Sequence, residues 1–205
     1  MSLKAVIFDL GGVIVRTEDQ GPRTRLAQSL GMTYAELDQF VFHSGPDGSS
    51  ARATLGQISE DDHWRNVLQA LALPESEMPR LRSEFFGGDR VDRELIGLIR
   101  SLRPRYKTGL ISNAWDGLRA YVEREGFDDA FDHMVISAEV GMAKPAPDIY
   151  HYALDKLGVA AEESVFLDDF SGNVKAARDI GMKTIHFMDP EKGIRQLKAL
   201  LETQT

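Results

Sequence analysis

Short apolar runs alternate with polar and glycine-rich stretches along most of the chain. The first run, residues 6–8, is followed by a carboxylate, Asp9, and by Gly11 and Gly12, before apolar residues resume at Val13. The run is too short for its period to separate strand from helix, but its length, its β-branched residues and the double glycine favour a buried strand. Because a buried carboxylate is costly unless it has a role, Asp9 is the first candidate functional residue.

Between residues 17 and 92 the pattern is helical, and no strand is evident. Apolar spacing predicts a helix over residues 34–42 and another over 59–73. A glycine- and serine-rich stretch at 45–50 has turn composition and should break the chain between them. The pattern therefore predicts a small all-helical insertion after the first strand.

From Arg93 onward helical and strand patterns alternate. Strands are predicted at 108–111, 134–136, 165–167 and 184–187. Helices are predicted between them, at 95–102, 118–125, 147–157 and 174–180. Such alternation implies a parallel sheet with right-handed crossovers and helices on both faces, so the predicted fold class is α/β.

Composition and charge narrow the class of protein. The 205 residues include 24 Lys and Arg against 32 Asp and Glu, a formal charge of −8, which disfavours nucleic-acid and anionic-membrane surfaces. The absence of cysteine excludes a thiolate nucleophile and a zinc–cysteine site. No segment approaches the roughly 18 apolar residues of a membrane span, and the N-terminus lacks a signal-peptide pattern, so we expect a cytoplasmic protein.

Candidate chemistry gathers at one edge of the predicted sheet. Asp9, Ser112 and the Asp168-Asp169 pair each follow a predicted strand, and Lys144 lies in a loop that can reach them. Three crowded carboxylates repel one another unless a cation lies between them. Because no histidine or cysteine joins the cluster, oxygen ligands favour magnesium over zinc. A site of this kind suits phosphate, with attack by Asp9 on phosphorus followed by hydrolysis.

Four motifs, in the right order, carry a family resemblance. They are FDLGGV at 8–13, ISN at 111–113, VGMAKPAPDIY at 140–150 and VFLDD at 165–169. The chain resembles the haloacid dehalogenase-like hydrolase superfamily. Within it, the chain is most similar to the phosphatase domain at the N-terminus of soluble epoxide hydrolase and to the bacterial alpha-glucose-1-phosphatase-like branch. The resemblance implies a Rossmann-like core domain of residues 1–16 and 93–205, with a helical cap domain at 17–92.

The resemblance also implies a magnesium site. Asp9 would be both the nucleophile and a metal ligand, and the backbone carbonyl of Gly11 would be a second ligand. Asp169 would bind the metal directly, with Asp168 beside it in an outer, orienting role. Asn173 either orients this loop or merely opens a helix.

The remaining motif residues would contact the phosphoryl group. Ser112 would donate its hydroxyl to a phosphoryl oxygen, and Asn113 lies next to the same group. Lys144 would neutralise charge on Asp9 and on the phosphoryl oxygens, which stabilises the transition state. The implied substrate is a small phosphorylated metabolite, while the natural substrate and the oligomeric state are not specified by the sequence.

The chain departs from the family pattern at Gly11. Most phosphatases of this superfamily have an aspartate there, which acts as general acid for the leaving oxygen. Such an acid is worth roughly a hundred- to ten-thousand-fold in rate. We therefore expect a phosphatase that favours good leaving groups, or one that borrows a proton from His43 or Asp47 in the cap.

Two other functions stay open at this level. A hydrolytic haloacid dehalogenase needs no acid, because halide leaves without a proton, but its nucleophile would be repelled by Asp168-Asp169. A non-catalytic phosphate- or partner-binding protein is the second.

Two further residues have expected roles. Arg16 meets a substrate anion or simply ends its element, and Trp64 is expected in the core of the cap.

Overall fold

A computed structural model describes residues 2–43, 45 and 48–202 of the chain. Its strands are Ala5–Phe8 (β1), Val15–Thr17 (β2), Asp89–Val91 (β3), Lys107–Ser112 (β4), His133–Ile136 (β5), Ser164–Asp168 (β6) and Lys183–His186 (β7). Five of them form a parallel sheet in the order β5-β4-β1-β6-β7. The other two, β2 and β3, form a small antiparallel ribbon.

The helices are Gly21–Ser29 (α1), Tyr34–Phe42 (α2), Ser49–Thr54 (α3), Glu60–Ala70 (α4), Met78–Phe85 (α5), Arg93–Leu102 (α6), Leu118–Arg124 (α7), Ser137–Val140 (α8), Pro147–Leu157 (α9), Ser171–Asp179 (α10) and Pro190–Glu202 (α11). Helices cover both faces of the parallel sheet, which confirms the predicted α/β, Rossmann-like architecture. Within the described residues, no helix combines the length and the apolar character needed to cross a bilayer.

Strand β1 is the centre of the sheet, and it is buried on both faces. Val6 and Phe8 point into the apolar cluster that includes residues of α6 and α11. Ala5 and Ile7 point the other way, into the cluster formed with α9 and α10. Because side chains alternate between the two faces of a strand, a central parallel strand needs apolar residues at every position. This explains the uninterrupted run that precedes Asp9.

Local signals define several helices at the residues where they were expected. Thr33 and Glu36 form a reciprocal capping box at the start of α2, and the Ser59 hydroxyl accepts a hydrogen bond from the Asp62 N–H at the start of α4. Helix α9 has Pro147 in its first turn and ends at Gly158, which is left-handed at φ +67°. These caps satisfy backbone groups that the helix itself leaves unpaired.

The prediction that residues 17–92 contain no strand is wrong. Strand β3 lies near the end of this segment and pairs antiparallel with β2, with Arg16 opposite Arg90. Each strand has only three residues and no apolar alternation, so the hydrophobic pattern gives no sign of it. Arg16 is the middle residue of β2 and does not end the element. Its guanidinium donates to the Val13 carbonyl at 2.6 Å and to Asp92 at 2.7 Å, which stabilises the ribbon.

Two helices also differ from the predicted elements. The expected break at 45–50 is shorter than predicted, because α3 begins at Ser49 within it. Helix α11 follows the last predicted strand, where no element was predicted, and it buries Leu197 and Leu201 against the sheet. Its apolar residues Ile194, Leu197 and Leu201 recur at helical spacing after Pro190, so the sequence does carry the signal for this helix although no element was predicted there.

Helices α1 to α5 pack around their own apolar cluster, apart from the two clusters of the sheet. Trp64 is fully buried there and contacts Phe85 and Phe86 edge-to-face, with ring centroids 5.7 and 6.0 Å away. Trp115 belongs to the same cluster although it comes from the loop after β4, and its ring lies 5.8 Å from that of Trp64. Trp115 therefore joins the helical layer to the sheet.

Close backbone contacts join the same two layers. The Glu60 N–H donates to Asp116 Oδ1 at 2.8 Å, so a residue of the β4 loop helps to cap α4. A Cβ at Gly117 would lie 2.2 Å from Glu60 Oε2, and a Cβ at Gly56 would lie 2.1 Å from the Ala138 carbonyl oxygen. The Ala138 oxygen belongs to the backbone, so glycine is required at residue 56, whereas the Glu60 side chain could move away from a Cβ at residue 117.

We expect Gly56→Ala to reduce the free energy of unfolding more than Gly31→Ala does. Both glycines are left-handed, at φ +66° and +72°, and each substitution should cost about 1–2 kcal/mol for that reason. Only Gly56 also faces a backbone oxygen, whereas Gly31 has no atom within 4 Å. Overpacking of this kind costs a further 1–3 kcal/mol or so. Urea unfolding of both variants measures the difference; equal losses would mean that this contact does not hold the layers together.

Candidate active site

Three carboxylates meet at the carboxyl edge of the parallel sheet. Asp9 follows β1, Asp168 ends β6 and Asp169 follows it, and the Asp9 N–H donates to the Leu167 carbonyl at 2.8 Å. One oxygen from each carboxylate lies within 4.8 Å of the others. Because β1 and β6 are neighbours in register, the pairing of the two strands brings these acids together.

Lys144 lies between two of the carboxylates. Its Nζ is 2.7 Å from Asp9 Oδ1 and 2.7 Å from Asp168 Oδ2, and only 1% of its side chain is exposed. A buried ammonium group is tolerated only when it is paired and hydrogen-bonded. The lysine therefore fixes the positions of the Asp9 and Asp168 carboxylates relative to each other.

The carboxylate oxygens of Asp168 already accept hydrogen bonds from donors of the protein itself. It is fully buried, and besides Lys144 it accepts hydrogen bonds from the Phe170 N–H at 2.8 Å and from Asn173 Nδ2, which lies 3.1 and 3.0 Å from its two oxygens. Asn173 thus orients Asp168 in addition to lying in the first turn of α10. With its lone pairs occupied, Asp168 is suited to an outer role beside Asp169.

Gly11 and Gly12 differ in the space that each would leave for a side chain. Gly12 is left-handed at φ +74°, and a Cβ there would lie 2.0 Å from Asp169 Oδ2, so the Asp169 carboxylate occupies the space that a side chain would fill. Gly11 is exposed, and no atom lies within 4 Å of the position of its Cβ. The site therefore has room for a side chain at residue 11, where this chain has none.

Ser112 and Asn113 reach the site from β4. Ser112 is the last residue of that strand and is almost fully buried. The Asn113 side chain binds the backbone of Lys144 in both directions: its Nδ2 donates to the Lys144 carbonyl at 2.7 Å, and its Oδ1 accepts from the Lys144 N–H at 2.8 Å. The amide of Asn113 thus positions the lysine, a contact that the sequence motif alone does not indicate.

The electrostatics of the cluster favour a cation. Burial outweighs the opposing charge of Lys144 and, together with the Asp168 charge, raises the pKa of Asp9 to about 7. Burial and the same Asp168 charge also raise the pKa of Asp169 above its ordinary value. A divalent cation between crowded carboxylates restores their charged form. Since every side-chain atom that the cluster offers as a metal ligand is an oxygen, the cluster fits magnesium.

Of the two residues considered as proton donors, the structure describes only His43, which is exposed at the end of α2 and is not part of the carboxylate cluster. Asp47 lies outside the described residues.

His63 is a buried imidazole of the cap that the sequence pattern does not single out. It is fully buried in α4, and its ring lies 4.4 Å from that of Trp115. Its Nδ1 is 2.8 Å from Ser49 Oγ, whereas Nε2 has no partner in the described part of the chain. Burial lowers the pKa of His63 to about 4, so at neutral pH it is uncharged and unsuited to act as an acid.

Curated proteins similar to this chain include one of about the same length and two that are much longer. Bifunctional epoxide hydrolase 2 of Sus scrofa is 29% identical over all of this chain and 40% of its own length. D-ribitol-5-phosphate phosphatase of Bacteroides thetaiotaomicron is 27% identical over 93% of both. Acyl-CoA dehydrogenase family member 10 of Mus musculus is 39% identical over 98% of this chain and 19% of its own length. The chain therefore spans about two fifths of the epoxide hydrolases that it matches.

Solved structures share the fold. A predicted HAD-like family hydrolase from Porphyromonas gingivalis superposes with a TM-score of 0.78 at 24% identity, over 98% of each chain. An enzyme of the HAD family from Bacteroides thetaiotaomicron, crystallised with magnesium and inorganic phosphate, gives 0.74 at 22% identity, over 90% of this chain and 93% of its own.

A family model also matches most of the chain. The model for haloacid dehalogenase-like hydrolases covers residues 3–181, which include all four motifs and every residue of the carboxylate cluster. The resemblance drawn from the motifs is thereby confirmed, and the chain belongs to the haloacid dehalogenase-like hydrolase family.

Proposed function

We propose that the protein is a magnesium-dependent phosphatase that acts on a small phosphorylated metabolite through an aspartyl-phosphate at Asp9. The observation that carries this proposal is the meeting of three carboxylates and the buried Lys144 at the carboxyl edge of the sheet. Relatives named as phosphatases support it, among them D-ribitol-5-phosphate phosphatase and a sesquiterpene phosphatase of Aspergillus oryzae.

Asp9, Asp169 and the carbonyl of Gly11 would hold the magnesium ion, and Asp168 would orient the site from behind. The bound ion supplies positive charge to the phosphoryl oxygens and to the carboxylates around it. Support comes from the contrast between the two acids of the pair: Asp168 is saturated by donors from the protein, whereas the Asp169 carboxylate lies over Gly12.

The chemistry consists of two displacements at phosphorus. An oxygen of Asp9 forms a bond to phosphorus while the bond to the leaving oxygen breaks, and that oxygen departs with the electron pair. Water then attacks phosphorus, which breaks the bond to Asp9 and releases phosphate. Lys144 and the Ser112 hydroxyl stabilise the charge that develops on the phosphoryl oxygens, and Asn113 holds Lys144 in place.

The leaving oxygen receives no proton from residue 11. We therefore infer a preference for phosphate esters and anhydrides whose leaving groups need little protonation, such as anomeric sugar phosphates, acyl phosphates and phenyl phosphates. A donor from the cap would be His43 or Asp47, and the His63 imidazole is uncharged at neutral pH.

Residues 17–92 would act as a cap over a core domain made of residues 1–16 and 93–205. Support comes from the separate apolar cluster of the helical layer and from the ribbon β2–β3, which lies where the two parts of the chain meet. Asp9, Ser112 and Lys144 are all buried, so the closing of a cap would complete the exclusion of water from a nearly enclosed site.

Phosphate release should require both magnesium and Asp9. We expect turnover of acetyl phosphate, p-nitrophenyl phosphate and glucose-1-phosphate, with rates that fall as the leaving group becomes more basic. Asp9→Asn removes the nucleophile and should lower the rate more than about a thousandfold. The measurement is phosphate release with magnesium or with a chelator. If no ester is hydrolysed, a haloacid assay tests the dehalogenase alternative, and failure there favours a binding protein.

Gly11→Asp should raise activity on alkyl phosphates by up to roughly a hundredfold, because it supplies the missing acid. The backbone tolerates the change, since no atom lies within 4 Å of the new Cβ. Gly11→Asn is the matched control, with the same volume and no acidic proton. The ratio of kcat/KM for an alkyl to a phenyl phosphate measures the effect. A gain of equal size on both esters, or one also seen with Asn, would contradict the missing-acid explanation.

A further inference from the structure

Asp168 and Asp169 are held in different ways. The Asp168 side chain is fixed by three partners, whereas the Asp169 carboxylate accepts no hydrogen bond from another residue of the described chain. Asp169 also lies one residue beyond the end of β6, so its carbonyl is outside the strand ladder. Something else must keep this carboxylate over Gly12 and close to Asp9.

The side chain of His186 contacts the backbone of Asp169. His186 is the last residue of β7, the edge strand next to β6, and it lies directly opposite Asp168 in the register. The next residue, Phe187, donates its N–H to the Asp168 carbonyl at 2.9 Å. The His186 ring then reaches one residue further, with Nε2 2.8 Å from the Asp169 carbonyl oxygen. A carbonyl oxygen can only accept, so Nε2 is the donor.

We propose that His186 is a positioning residue for the metal ligand Asp169. The N–H of the peptide that follows Asp169 already donates to Asp168 Oδ1, and the His186 bond holds the carbonyl of the same peptide, so that both of its polar groups are fixed. No other hydrogen bond to this carbonyl is present among the described residues. The imidazole therefore adds a side-chain contact between the metal loop and the edge strand, next to the backbone contact of Phe187 with Asp168. The inference rests on the proposed function, because it assigns the partner of a proposed magnesium ligand.

The experiment compares side chains that place a donor at different distances from the backbone. Gln carries its amide nitrogen about where Nε2 of His lies, whereas Asn carries it about where Nδ1 lies, so only Gln can reach the Asp169 carbonyl. The variants are His186→Gln, His186→Asn and His186→Leu. His151→Leu is the control, because His151 is also an exposed histidine but lies on α9.

The measurement is binding of magnesium chloride alone, by titration calorimetry and by the rise in melting temperature with magnesium concentration. We expect His186→Asn and His186→Leu to bind magnesium about tenfold more weakly, the lower end of the effect of an outer partner of a metal ligand. His186→Gln and His151→Leu should bind like the wild type. Melting in a chelator reports the fold separately, and we expect His186→Asn to melt like His186→Gln.

The outcomes separate this inference from the proposed function. If the wild type binds no magnesium, both are overturned. If the wild type binds it and His186→Asn and His186→Leu bind it equally well, His186 does not position Asp169, while the proposed function stands. Equal weakening in His186→Gln and His186→Asn would also overturn the inference, because the effect would not depend on the reach of the donor.

Discussion

The ion pair of Lys144 with Asp9 and Asp168 is the interaction on which the site depends. Two buried carboxylates repel each other, and each loses hydration, so neither would be stable as an anion without a cation beside it. The ammonium group lies 2.7 Å from both. This contact requires two adjacent strands to end at the same level and a loop from a third part of the chain to reach them. Much of the architecture can be understood as meeting that requirement.

The parallel sheet makes neighbouring strands end at the same level. Strand β1 lies between β4 and β6, so Asp9, Ser112 and Asp168 emerge side by side. The loop that carries Lys144 is held by the Asn113 side chain, which binds the lysine backbone through two hydrogen bonds. Asp9, Lys144 and Asn113 are therefore one connected unit of direct contacts.

The loop after β4 also connects this unit to the helical layer. Asn113 contacts Lys144, and two residues later Trp115 enters the aromatic cluster around Trp64. Asp116 then caps the helix that carries His63. A short stretch of chain thus contacts the lysine of the site on one side and the layer above it on the other, so the two are mechanically linked.

The sequence by itself determined the alternation of strands and helices along the chain, the burial of β1 and the identity of the acids at the sheet edge. These follow from local signals: uninterrupted apolar runs, helix caps at Ser59 and Gly158, and acids placed directly after strands. It did not determine the order of the strands in the sheet, or the ribbon β2–β3, whose three-residue strands have too little hydrophobic pattern to stand apart from loops. Only the tertiary structure decided which acid is saturated by donors, that Asn113 holds Lys144, and that His186 contacts Asp169. The contacts of Lys144 and His186 join residues 17 to 31 positions apart, and their partners are set by strand register and loop packing, which no local pattern encodes.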